Sequence, residues 1–147
     1  LNSQGFSDDK IYLVGAGLGA NVAAKTLKWH PQIAGVALLT PSLKSRDVVT
    51  LRGLQHYKKA IFIGVSAEER KALVEARIIR NASFLATGEG KVTFVTAFKD
   101  KGGVMLKNYM MPELLQWFKT PVLPDVIPDV NYEDNSTLQE EIENENY

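Results

Sequence analysis

Apolar positions along this chain follow two spacings in turn. Short unbroken runs alternate with stretches in which apolar residues recur every three or four positions. Ile11-Tyr12-Leu13-Val14 is a run that ends at a glycine, which predicts a buried strand. Leu18 to Trp29 carries Ala20, Ala23, Ala24 and Leu27 at helical spacing, and Pro31 stops it. Ile33 to Leu39 reads as a second buried strand, Ser45 to Tyr57 as a weaker helix, and Ile61 to Val65 as a third strand. From Ala67 to Asn81, Ala72, Leu73, Ala76 and Ile79 form one stripe, with Glu68 and Glu69 near the positive end of the predicted helix. Val92 to Phe98 is the fourth strand. Met105 to Lys119 is the last helix, with Met111, Leu114, Leu115 and Phe118 expected to face inward.

Strand and helix in alternation predict parallel β-α-β units with right-handed crossovers. Strands apolar on both faces need helices on both sides. The expected fold is therefore α/β, a parallel sheet of about four strands flanked by helices.

Composition bounds this picture. With 147 residues, 45% of them hydrophobic, the chain can bury one core. No apolar run approaches the roughly 20 residues that span a bilayer, so no membrane partner is expected. There is no cysteine, which removes disulfides, thiolate zinc sites and cysteine nucleophiles. Leu1 opens a polar stretch unlike a signal peptide, as expected of a processed chain or of a piece of a longer one.

Formal charge is zero but uneven. Eight acidic residues and no Lys or Arg follow from Asp125 onward, and the rest carries 17 basic and 9 acidic groups, a net of +8. The chain thus divides into a body, residues 1–121, and a Pro-containing acidic tail, residues 122–147, expected to be partly disordered. The tail either solvates the chain or lies across a basic surface.

Chemistry concentrates at Val14-Gly15-Ala16-Gly17-Leu18-Gly19-Ala20-Asn21, which joins a strand directly to a helix. Gly15, Gly17 and Ala20 fit a dinucleotide-binding turn, with a pyrophosphate on the helix N-terminus. That reading wants an acid at the end of the next strand, and Leu39-Thr40-Pro41-Ser42 supplies none. Gly15-Ala16-Gly17-Leu18-Gly19 also has the spacing of a G-x-S-x-G nucleophile elbow whose serine is Gly17. A third reading has the glycines serve only strand–helix packing.

A wider likeness extends the elbow reading. The approach to the turn, residues 1–21, resembles that of dienelactone-hydrolase-like members of the α/β-hydrolase superfamily. Val36 to Pro41 looks like their strand after the elbow, and Ala60 to Ser66 like the strand that delivers the catalytic acid. Gly102-Gly103-Val104-Met105-Leu106, then Pro112-Glu113-Leu114-Leu115 and Trp117-Phe118, look like the loop and helix after the catalytic histidine. The likeness spans roughly residues 1 to 119 and implies the C-terminal half of such a domain.

Carried over by position, the resemblance implies a degenerate triad. Its nucleophile slot is Gly17, its acid slot Glu68 or Glu69, and its histidine slot Lys101. A glycine cannot form a covalent intermediate, and a protonated lysine is no general base. The expected role is non-catalytic, in protein association or in small-ligand binding at Gly15, Gly17, Leu18 and Gly19. The alternatives are an esterase-like hydrolase, with displaced chemistry at Ser42 or Ser66 or completed by a missing N-terminal half, or a nucleotide or phosphate binder at the glycine turn. No cofactor is expected under the first reading.

The resemblance also implies strands before the elbow, which this chain lacks. The first strand would keep a bare edge, so a second copy or a missing N-terminal half is the expected partner. Lys58 and Lys59 fall at the opposite end of the strands from Lys99, Lys101 and Lys107, so no continuous nucleic-acid surface is expected. No metal-ligand spacing occurs. His30 and His56 are expected at the surface, and Trp29, Trp117 and Phe118 in packing.

Overall fold

The computed structural model describes residues 2–88 and 90–121. In chain order the elements are β1 (Tyr12–Ala16), α1 (Leu18–Thr26), β2 (Gly35–Leu39), β3 (Lys44–Ser45), β4 (Val48–Val49), α2 (Thr50–Leu54), β5 (Ala60–Ser66), α3 (Arg70–Thr87), β6 (Val92–Ala97), α4 (Gly102–Met105) and α5 (Met111–Lys119). Four strands pair in the order β1-β2-β5-β6, every pair parallel. This is the α/β arrangement that the alternating periodicities predict.

Alternation along the strands separates two apolar layers. Val36, Leu38, Ile61 and Ile63 meet Ala20, Ala24, Ala76 and Ile79 of α1 and α3. Their neighbours Ala37, Leu39 and Phe62 point the other way, onto Met105, Met110, Leu114 and Trp117. Each strand therefore feeds both layers, as period-two side chains require. β2 and β5 are buried along their whole length, whereas β1 is half-buried or exposed at every position.

The structure corrects four expectations. Ser45 to Tyr57 is not one helix: a two-stranded hairpin, β3 and β4, precedes the short α2. Its turn residues Arg46 and Asp47 take φ of 44° and 64°, a backbone that helices exclude. The long helix α3 starts at Arg70 rather than Ala67 and runs past Asn81 to Thr87. The last helical stretch starts at Gly102, and a π turn over Leu106–Met110 interrupts it. A π turn takes up an extra residue and rotates the following face. Met105, Met110, Leu114 and Trp117 consequently face inward, while Met111 and Leu115 are exposed. Lastly, Trp29 is 59% exposed rather than packed, with Lys25 and Lys28 Nζ within 6 Å of its ring.

Among the described residues no helix is long and apolar enough to cross a membrane. The expectation for residues 122–147 lies outside the described residues.

Tyr57 offers a probe of the core. Its ring is buried and its hydroxyl donates to the Ile33 carbonyl at 2.7 Å. Burial, aided by Tyr12, pushes the phenol well above its usual 10.0. The fold thus prefers the protonated phenol. Its contribution is complete below pH 10 and is lost as pH rises through the folded value. Melting temperature measured from pH 9 upward should fall more steeply for the native chain than for Tyr57→Phe, and parallel curves would contradict this assignment.

Candidate functional site

The strand–turn–helix at the carboxyl end of β1 is built by two glycines with different duties. Gly15 is required by close approach, because a Cβ there would lie 2.2 Å from the Gly19 carbonyl oxygen. Gly17 is required by backbone shape, with φ 56° and ψ −122°. L-residues rarely adopt that conformation, at a cost of order 1–3 kcal/mol. The turn is fixed from the neighbouring strand, since the Gly17 amide donates to the Leu39 carbonyl at 2.9 Å. Among the described residues the space beside Gly17 is open: a Cβ built on it would meet no atom within 4 Å.

Leu18 and Gly19 open α1, and the first amides of a helix have no intrahelical acceptor. The Gly17 carbonyl caps the next turn by accepting from Ala20 N at 3.0 Å. A small polar ligand at this point would meet amide donors at a positive helix end.

The loops after β2 and β6 gather at the same place. Thr40 has φ 50°, and its amide donates to the Gly64 carbonyl at 2.7 Å. Its hydroxyl accepts from Gly102 N at 3.1 Å. A Cβ built on Gly102 would stand 3.7 Å from the Ala16 side chain, so the Lys101–Gly102 turn lies against the end of β1. Asp100, with φ 67°, accepts from Asn108 Nδ2 at 3.2 Å. The turn and the residue in the histidine slot are therefore neighbours in space.

The remaining candidates behave differently. Glu68 and Glu69 are exposed at the start of α3, and Glu69 makes no side-chain cap. Ser66 is fully buried and its hydroxyl accepts from Glu68 N at 3.2 Å. Ser42 is half-buried and bonded to Asn21. His30 and His56 are exposed, and His30 Nδ1 lies 3.9 Å from Asp8. Both histidines lie toward the amino ends of the strands, away from Gly17. Among the described residues no group of His, Asp or Glu could hold a metal ion.

Asn21 is the residue that sequence reading passes over. It is fully buried in α1. Its Nδ2 donates to the Ser42 carbonyl (3.0 Å) and the Val48 carbonyl (3.1 Å), and its Oδ1 accepts from Ser42 N (3.2 Å). A polar residue on the apolar face of an alanine-rich helix was the available signal. The bonds clamp the β2–β4 connection onto α1 and so hold Thr40 beside the turn. Asn21→Leu should cost about 2–3 kcal/mol, because it takes the partner from Ser42 N and from the Val48 carbonyl, whereas the Ser42 carbonyl keeps the Thr50 hydroxyl. Urea unfolding would measure the loss, and a cost under about 0.5 kcal/mol would mean water replaces the clamp.

No family model, curated protein or solved structure matches the chain.

Proposed function

We propose that this chain is a non-catalytic α/β-hydrolase-like module that acts by association along the open side of β1. The carrying observation is Gly17. It occupies a sharp strand–turn–helix in a conformation suited to displaying a nucleophile, and has no side chain to display. Placement of the Lys101–Gly102 turn beside it supports the same reading, because a histidine loop would belong there.

Among the described residues β1 pairs only with β2, and its open side supports association. Val14 is 48% exposed, and Leu18 and Val22 extend the apolar surface along α1. A parallel strand with an unpaired edge seeks a partner strand. A second copy paired across β1 would give a continuous sheet of about eight strands with two-fold symmetry.

Light scattering across a range of concentrations tests this directly. A dimer that Val14→Lys dissociates is expected, and a monomer at every concentration would discard self-pairing. A fluorophosphonate probe should leave the chain unlabelled, and labelling would discard the non-catalytic reading. The displaced-nucleophile alternative is weakened by the burial of Ser66 and the engagement of Ser42 with Asn21. For a nucleotide binder, Thr40 stands where an acid would hold the ribose, and its hydroxyl already binds Gly102. Thermal stabilisation by NAD, FAD or phosphate would revive that alternative.

A further inference from the structure

The outer face of α3 is unlike a solvated helix surface. Val74, Ile78 and Leu85 recur at four and seven residues and are 56%, 44% and 86% exposed. At 100° per residue they form one stripe. Exposed Arg70, Lys71 and Arg77 border it. The single acid of α3, Glu75, offsets them little: its Oε2 accepts from Leu43 N at 2.8 Å on the inner side, and its Oε1 approaches Lys71 Nζ only to 3.9 Å, which leaves that lysine side chain 92% exposed. Lys58, which donates to the Ala86 carbonyl, extends the cationic border past the far end of the helix. The face is thus mainly apolar along its centre, with exposed Asn81 between Ile78 and Leu85, and positive along its margins.

A complementary pattern lies in the same chain. Ser136-Thr137-Leu138-Gln139-Glu140-Glu141-Ile142-Glu143-Asn144-Glu145 sets Leu138 and Ile142 four residues apart among four glutamates. Ser136 and Gln139 have the spacing of a capping box. Such a segment would place its apolar pair on one side and carboxylates on both flanks. Reach is sufficient: residues 122–137 extend up to roughly 55 Å, against a radius of gyration of about 14 Å for a domain of this length.

From charge and apolar complementarity we infer that residues 136–145 dock intramolecularly on the α3 face. Leu138 and Ile142 cover Val74, Ile78 and Leu85, and the glutamates pair with Arg70, Lys71 and Arg77. α3 packs over β5 and β6, at the other end of the sheet from the open side of β1, so the two readings stand or fall separately.

The absence of cysteine makes the test direct. In the full chain, Asn144→Cys carries a nitroxide, and amide resonances are read in an isotope-labelled sample. Amides from Val74 to Leu85 should lose most of their intensity. Arg77→Glu with Leu85→Glu should restore them, as should high salt, which screens the flanking pairs. Both positions are exposed, so the fold survives the change. Even attenuation over the molecule, or attenuation centred on β1, overturns the inference. Attenuation seen only when nitroxide-bearing and isotope-labelled chains are mixed would assign the face to a second copy, and would also overturn it.

Discussion

Trp117→Ala should lower the melting temperature by roughly 10–20 °C. Trp117 is fully buried and anchors the layer between the sheet and α5. Its ring meets Tyr12 edge-on at 5.5 Å and lies 5.7 Å from Phe62 and 5.4 Å from Phe118. It also fills the space over Gly35, where a Cβ would come within 2.8 Å of the ring. Three aromatic partners and a glycine floor cannot close around an alanine, so the cavity stays. Truncating a buried Trp costs about 3–5 kcal/mol. Domains of this size have only about 5–15 kcal/mol in total, and each kcal/mol moves the midpoint by several degrees. Circular dichroism against temperature would read the shift. A loss of under about 5 °C would mean that α5 holds the sheet less tightly than its contacts indicate.

Alanine at the three glycines of the β1–α1 turn should give three different outcomes. Gly15→Ala should cost about 3 kcal/mol or more, because its Cβ would sit 2.2 Å from one backbone atom and 2.5 Å from the next. Those atoms belong to the first turn of α1, so the helix itself must move. Gly17→Ala meets no atom, and its cost is backbone strain alone, about 1–3 kcal/mol. Gly19→Ala meets neither obstacle and should be neutral or slightly stabilising. Denaturant midpoints for the three variants would give the ranking. A tolerant Gly15 would place α1 further from the strand than the structure does.

Much of this fold was legible because burial is coded locally. The runs at Ile11, Ile33, Ile61 and Val92 each became part of a strand or its entry, and their order is the order of the sheet. What escaped was set by details of the backbone. Val48 and Val49 carry β-branched side chains suited to a strand, yet mixed spacing over Ser45 to Tyr57 suggested a helix. The turn that joins β3 to β4 rests on Arg46 and Asp47 at positive φ, a conformation that neither residue announces. Helical spacing fails beyond Met105 for a similar reason: the π turn is invisible to a fixed 3.6-residue period. At the candidate site, the glycine turn was readable as a strand-to-helix junction. Its neighbours were not, because Thr40 and Gly102 are 62 residues apart and meet only through the sheet.

The sheet order β1-β2-β5-β6 also bears on how the molecule acquires its structure in time. Each of the four strands is laid beside the one before it, so none has to be threaded between two that are already joined. A nascent chain can add each β-α unit to a finished edge as it emerges, without waiting for a distant segment. Loop closure is then shared among short steps rather than concentrated in one long one. The last edge completed, β6, should accordingly be the one whose amides exchange with solvent before those of β2 and β5.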